Sequence, residues 1–84
     1  MQIIFSKHAL YQLKERGISK EEVILALLNP DKIISQTDQR FKALKIVKRK
    51  RKKFLLVVVF EKTNSKKIII TAFLTSKIKK YLQN

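Results

Sequence analysis

The chain contains no cysteine, which excludes disulfides, thiolate metal sites and thiol catalysis. Its single histidine, His8, and the lack of any paired Cys/His spacing leave no zinc set of the usual kind, so neither a metal nor another cofactor is expected. Long apolar runs are also missing. The longest, Phe54 to Phe60, has seven residues against the roughly 20 that a membrane-spanning helix needs. The N-terminal MQIIFSKHAL has neither a basic leading segment nor a cleavage site, so the expectation is a soluble, cytoplasmic protein without membrane association. Acidic side chains are few, 6 against 20 Lys and Arg.

That imbalance, +14 over 84 residues, is unevenly spread. Residues 1–42 carry seven basic and five acidic groups (+2), whereas residues 43–84 carry thirteen basic and one acidic (+12). A cationic half on a small chain implies a polyanionic partner, either nucleic acid or an acidic protein segment; the alternative is lysine that merely solubilises. The length is that of one domain, 1–84, in which roughly 60% of the unfolded chain's surface is buried.

Local signals set out the elements. QIIF (2–5) has the character of a short strand, Ser6 offers an N-cap for a helix from Lys7 to Arg16, and Gly17 ends it in a left-handed cap. SKEE (19–22) matches a capping box and opens a second helix with Val23, Ile24, Leu27 and Leu28 on one face, stopped by Asn29-Pro30. KIISQT (32–37), FKALKIV (41–47), FLLVVVF (54–60) and KKIIITAFL (66–74) are β-rich runs with short polar connections. FLLVVVF is apolar at every position, the pattern of a central strand covered on both faces, or covered on one and part of an interface on the other. SKIKKYL (76–82) groups Ile78, Tyr81 and Leu82 as a last short helix. The order implies an α+β domain: a short N-terminal strand, two helices packed on a small antiparallel sheet of three to four strands, and a short C-terminal helix.

Between two of the strands lies KRKRKK (48–53). With no Gly, Pro or Asn to make a tight turn, it is expected as the widened tip of a hairpin whose ends continue the flanking strands, with side chains fanning from both sheet faces. Lys48, Arg49, Lys50, Arg51, Lys52 and Lys53 then suit phosphate contacts on nucleic acid, which give affinity without sequence choice. A solvated loop that discourages edge pairing and a nuclear-localisation run, the latter disfavoured by the prokaryotic resemblance of residues 7–19, are the other readings.

On the first helix, His8, Gln12 and Glu15 fall on one face, with Ala9, Leu10 and Leu13 opposite. His8 and Glu15 are about 10 Å apart along the axis at ~1.5 Å per residue, too far for a direct acid/base pair, so they could act only on opposite sides of a substrate or through other elements. Spacing alone favours the plainer reading, in which His8 is solvated in the first turn and Glu15 and Arg16 brace the turn before Gly17. KHALYQLKERGIS (7–19) resembles the H-A-x-x-x-x-x-E-R-G-I-S signature of a prokaryotic domain family of unassigned function, related to the BrnT toxins and more distantly to the RelE/ParE toxin superfamily. SKEEVILALLNPDKII and IIITAFLTS are similar in pattern to that family's second helix and last strand. The resemblance implies a toxin-like RNA-binding protein, in its enzymatic form a metal-independent endoribonuclease with His8, Glu15 and Arg16 as catalytic candidates, held inactive by an acidic antitoxin. Working groups in that superfamily often lie on the sheet and near the C-terminus, which implies Arg40, Lys45, Lys77, Lys80 and Tyr81 here; taken singly, Arg40, Lys45, Lys77 and Lys80 are expected as phosphate contacts in nucleic-acid binding, or as solvated side chains, and the spacing of Tyr81 from Ile78 favours the core. Two readings from other classes stand beside it: a non-catalytic nucleic-acid-binding module, and an interaction protein whose basic face receives an acidic peptide.

Overall fold

The computed structural model describes residues 2–82. Eight elements follow one another: β1 (Gln2–Phe5), α1 (Lys7–Glu15), α2 (Lys20–Leu28), β2 (Lys32–Ser35), β3 (Arg40–Arg49), β4 (Lys52–Thr63), β5 (Lys66–Thr75) and α3 (Ile78–Leu82).

Helix boundaries follow from side chains that satisfy the otherwise orphaned backbone groups at helix ends. Ser6 Oγ accepts from Ala9 N at 3.0 Å and starts α1. At its end Gly17 adopts φ 64°, where its N–H reaches Lys14 O at 3.3 Å and Ile18 N–H reaches Leu13 O at 2.9 Å. These two bonds form the Schellman arrangement, which needs a left-handed residue. Ser19 and Glu22 form the reciprocal capping box of α2: Glu22 N donates to Ser19 Oγ (3.1 Å) and Ser19 N to Glu22 Oε1 (2.9 Å). The inward face of α2 is Val23, Ala26 and Leu27, while Leu28, expected to point inward, is 73% exposed. Leu10 likewise lies at the margin of its helix's buried face, at 36% exposure.

The sheet has five strands in the order β1-β5-β4-β3-β2, not three to four. QIIF supplies the additional one by pairing parallel with β5, Gln2 against Lys66 through Phe5 against Ile69; the other pairings are antiparallel. FLLVVVF is central, with Leu55 to Phe60 buried. Its alternate residues enter different cores. Leu56, Val58 and Phe60 join Ala9, Leu13, Val23, Ala26 and Leu27 beneath α1 and α2. Leu55 and Val57, with Leu44, are covered on the other face by Ile78, Tyr81 and Leu82 of α3.

One irregularity interrupts the sheet. Val59 pairs with Thr71 but Phe60 pairs with Ile69, so Ile70 is an extra residue on β5. Such a bulge re-aims its neighbours. Thr71 turns its hydroxyl to the Gln12 side chain of α1.

Candidate nucleic-acid interface

The basic hexamer is not a widened loop. Strand pairing runs to Lys48 against Lys53 and Arg49 against Lys52, and Lys50 and Arg51 alone make the turn, at φ 48° and 68°. Positive φ at both central residues is what a two-residue hairpin needs for its twist to match the flanking strands, and Asn-Gly normally supplies it. Here a lysine and an arginine adopt it, at roughly 1–2 kcal/mol per residue. The long ladder of β3 and β4, ten registered pairs, imposes the register and overrides turn preference.

Two rows of directly opposed cations thus sit beneath a cationic turn, and like charges opposite one another destabilise a sheet. By strand alternation Lys48 and Lys53 share the α3 face with Leu44, and Arg49 and Lys52 share the α1/α2 face with Ala43. Only one of the six meets a carboxylate among the described residues. Arg49 Nη2 donates to both Glu22 oxygens, at 2.7 and 2.8 Å. Burial alone would raise the Glu22 pKa, but the Ser19 backbone N–H and the Arg49 guanidinium, by hydrogen bonding and by charge, outweigh it and hold the carboxyl below its ordinary value. The capping residue of α2 therefore also moors the hairpin. Lys48, Lys50, Arg51, Lys52 and Lys53 remain exposed.

The other cationic candidates divide by position. Thr75 pairs with Leu55, so Lys77, just beyond the strand and exposed, belongs to the same end of the sheet as the hairpin tip; Lys80 is exposed on α3. Arg40 pairs with Glu61 at 2.7 Å, in the β3–β4 row farthest from the tip. Lys45 Nζ donates to Asn29 O at 2.9 Å and so caps the C-terminus of α2. Tyr81 packs into the α3-side core, with Lys42 Nζ 5.9 Å from its ring centroid.

His8, Glu15 and Arg16 do not converge. His8 lies exposed in the first turn of α1, and Glu15 in the last, where it lines an open depression of about 410 Å³ with Tyr11 and Lys14. Arg16 is directed to the sheet: Nη1 donates to Thr71 Oγ1 (3.1 Å) and to Ala72 O (2.8 Å). With Gln12 on the same threonine, this network fastens the end of α1 to the bulge of β5. Among the described residues no group of three His, Asp or Glu is placed to hold a metal ion, and no helix is long and apolar enough to cross a membrane.

Glu22, which the sequence marks only as a capping-box residue, and the pair Lys62 and Lys67, opposed across β4 and β5, are not among the site candidates that the sequence pattern offers. The near-symmetric EKTNSKK (61–67), centred on an Asn-Ser turn, is the one local hint of the second pair.

Fold and site together define a small α+β domain that presents a strongly cationic hairpin. The chain belongs to the DUF4258 family, a domain of unknown function, whose match covers residues 5–74. No curated protein and no solved structure matches it.

Proposed function

We propose that this domain binds RNA through the phosphates, with the β3–β4 hairpin tip as its principal contact. The observation that carries the reading is the tip itself: Lys48 opposite Lys53, Arg49 opposite Lys52, and a left-handed Lys50-Arg51 turn, with Glu22 the one carboxylate bonded to the six among the described residues. Conformational strain and self-repulsion are concentrated where a chain seeking stability alone would carry Asn-Gly. A polyanion laid across the tip relieves the repulsion. Lys77, at the same sheet end, extends the surface.

The choice of RNA, and kinship with the BrnT and RelE-like toxins, rest on the HALYQLKERGIS segment and on the order strand, helix, helix, sheet. An antitoxin with an acidic segment belongs to the same proposal, as the counter-charge for a +14 chain. Binding and not cleavage is the activity proposed, because Arg16 is committed to Thr71 and Ala72 and lies a helix length from His8.

Titration of labelled single-stranded RNA at several salt concentrations tests this. The slope of log affinity against log salt should be steep, and Lys50→Gln, Arg51→Gln, Lys52→Gln and Lys53→Gln combined should lower its magnitude by about 3, at roughly 0.7 per lost phosphate contact on a single strand. An equal slope in the two proteins refutes the assignment.

A further inference from the structure

At the end of the sheet away from the basic hairpin, a groove of about 210 Å³ is lined by Ile33, Phe41, Phe60, Lys62 and Lys67. Its floor is aromatic. The Phe41 and Phe60 rings stack, with centroids 5.5 Å apart and 24° between their planes. Its rim is cationic: Lys62 and Lys67 are direct cross-strand partners, and neither pairs with a carboxylate among the described residues. Two ammonium groups held opposite one another destabilise the pairing of β4 with β5 unless an anion lies between them. Lys67 Nζ rests 5.4 Å from the Phe60 ring centroid, within the range of a cation–π contact. Phe60 itself is 2% exposed, as a member of the core beneath α1 and α2, whereas Phe41 is only partly buried.

We infer that this groove is a nucleotide site, in which a nucleobase stacks against Phe41, the partly exposed ring of the stacked pair, while its phosphate bridges Lys62 and Lys67. Three properties select that ligand class. The volume lies below the roughly 300–1,000 Å³ of pockets for drug-sized molecules, so it admits one ring system and not an extended cofactor. The floor offers π faces without hydrogen-bonding groups, which suits stacking that tolerates any base. The rim offers two positive charges to one anion. Lys67 is the moving part: drawn off the Phe60 ring by a phosphate, it exchanges a cation–π contact for a charge-assisted hydrogen bond. The inference rests on the RNA reading in that it supplies a base-stacking contact to complement the phosphate contacts of the hairpin. From Phe41 to Arg49 along β3 is about 26 Å at ~3.3 Å per residue, so a mononucleotide in the groove cannot reach the tip, and the two sites can be tested apart.

The test is an NMR titration of the isotopically labelled chain with AMP and UMP, and with ribose 5-phosphate as the baseless probe. It is run on the native protein and on the quadruple hairpin variant. Both nucleotides should shift Ile33, Phe41, Phe60, Lys62 and Lys67 in both proteins, with contacts from base protons to the Phe41 or Phe60 ring; ribose 5-phosphate should not reproduce the ring shifts. Phe41→Leu, which keeps the groove apolar but removes a π face, and Lys67→Gln, a surface change that spares the core, should each weaken binding of a hexa-adenylate by about tenfold, the lower part of the range for one stacked base. Nucleotide shifts confined to residues 48–53, or ring shifts equal for ribose 5-phosphate and AMP, overturn the site even if RNA binding at the hairpin holds. Shifts of the groove by a glutamate-rich peptide carrying one phenylalanine, without any by AMP, assign it to a protein partner and also overturn it. If the hairpin variant loses its salt-dependent RNA binding while AMP still fills the groove, the groove stands.

Discussion

Replacing Lys50-Arg51 by Asn-Gly should make the domain more stable and a poorer RNA binder at once. Both native residues occupy the left-handed region, at roughly 1–2 kcal/mol each for a side chain with a Cβ. Asparagine adopts that region more readily and glycine freely, although glycine returns about 0.5–1 kcal/mol through its greater freedom in the unfolded chain. Removal of two charges above the opposed Lys48–Lys53 and Arg49–Lys52 rows adds to the gain. The net expectation is a stabilisation of about 1–2 kcal/mol, which for a domain of this size raises Tm by about 5–10 °C. The same variant loses two phosphate contacts and should lower the magnitude of the salt slope for single-stranded RNA by about 1.4. Calorimetry and RNA titration on the same preparations read both quantities. A variant that is no more stable than the native chain refutes the claim that the turn is strained. One that is more stable but binds RNA with an unchanged slope refutes the claim that the strain is retained for binding.

Glu22→Gln separates the charge of the mooring from its capping geometry, since glutamine also serves at the third position of a capping box. The expected loss at neutral pH is at most about 1 kcal/mol for a partly exposed pair. The Glu22 pKa is lower folded than unfolded, so its contribution is complete above the unfolded carboxylate value, about 4.3, and disappears as pH falls through the folded value. The stability difference between native and variant should therefore shrink in acid, and a pH-independent difference in Tm would count against the mooring. Arg16→Ala should cost about 1–2 kcal/mol by deleting its bonds to Thr71 and Ala72 and leave the salt slope for RNA unchanged. Loss of an RNA-directed activity at unaltered Tm would instead restore Arg16 as a catalytic group.

What could be read in advance was what the chain settles locally. Gly17, the Ser19–Glu22 box and the Ser6 cap act within one helical turn, and the all-apolar FLLVVVF marks a central strand without reference to its partners, although not whether its second face is covered by this chain or by an interface. Features that depend on register were hidden. The parallel pairing of QIIF joins position 2 to position 66, and no nearby residue signals it. Leu28 is turned outward because the sheet beneath α2 takes Val23, Ala26 and Leu27 as the inward face. The tight turn at Lys50-Arg51 contradicted its own residue preferences, since the ladder behind it decides its length. Arg49 looked like one more cation of a run until tertiary structure set Glu22 against it. Lys62 and Lys67 face each other only because the β4–β5 hairpin turns between Thr63 and Lys66.

The pairing of β1 with β5 also governs how the chain reaches its native state. During synthesis QIIF has no strand to join until residues 66–69 have emerged, and contacts of such sequence separation slow folding. Through that interval FLLVVVF, a seven-residue apolar run rich in β-branched side chains, is without its full cover, the kind of segment that assembles into cross-β aggregates. KRKRKK stands immediately before it and Glu61-Lys62 immediately after. Charges in these places act as gatekeepers, because two nascent chains cannot stack this segment in register without stacking six like charges as well. The basic knot beside the most buried strand thus guards that strand before it is buried, and a variant stripped of those cations should fold to a sound structure yet accumulate as aggregate on the way there.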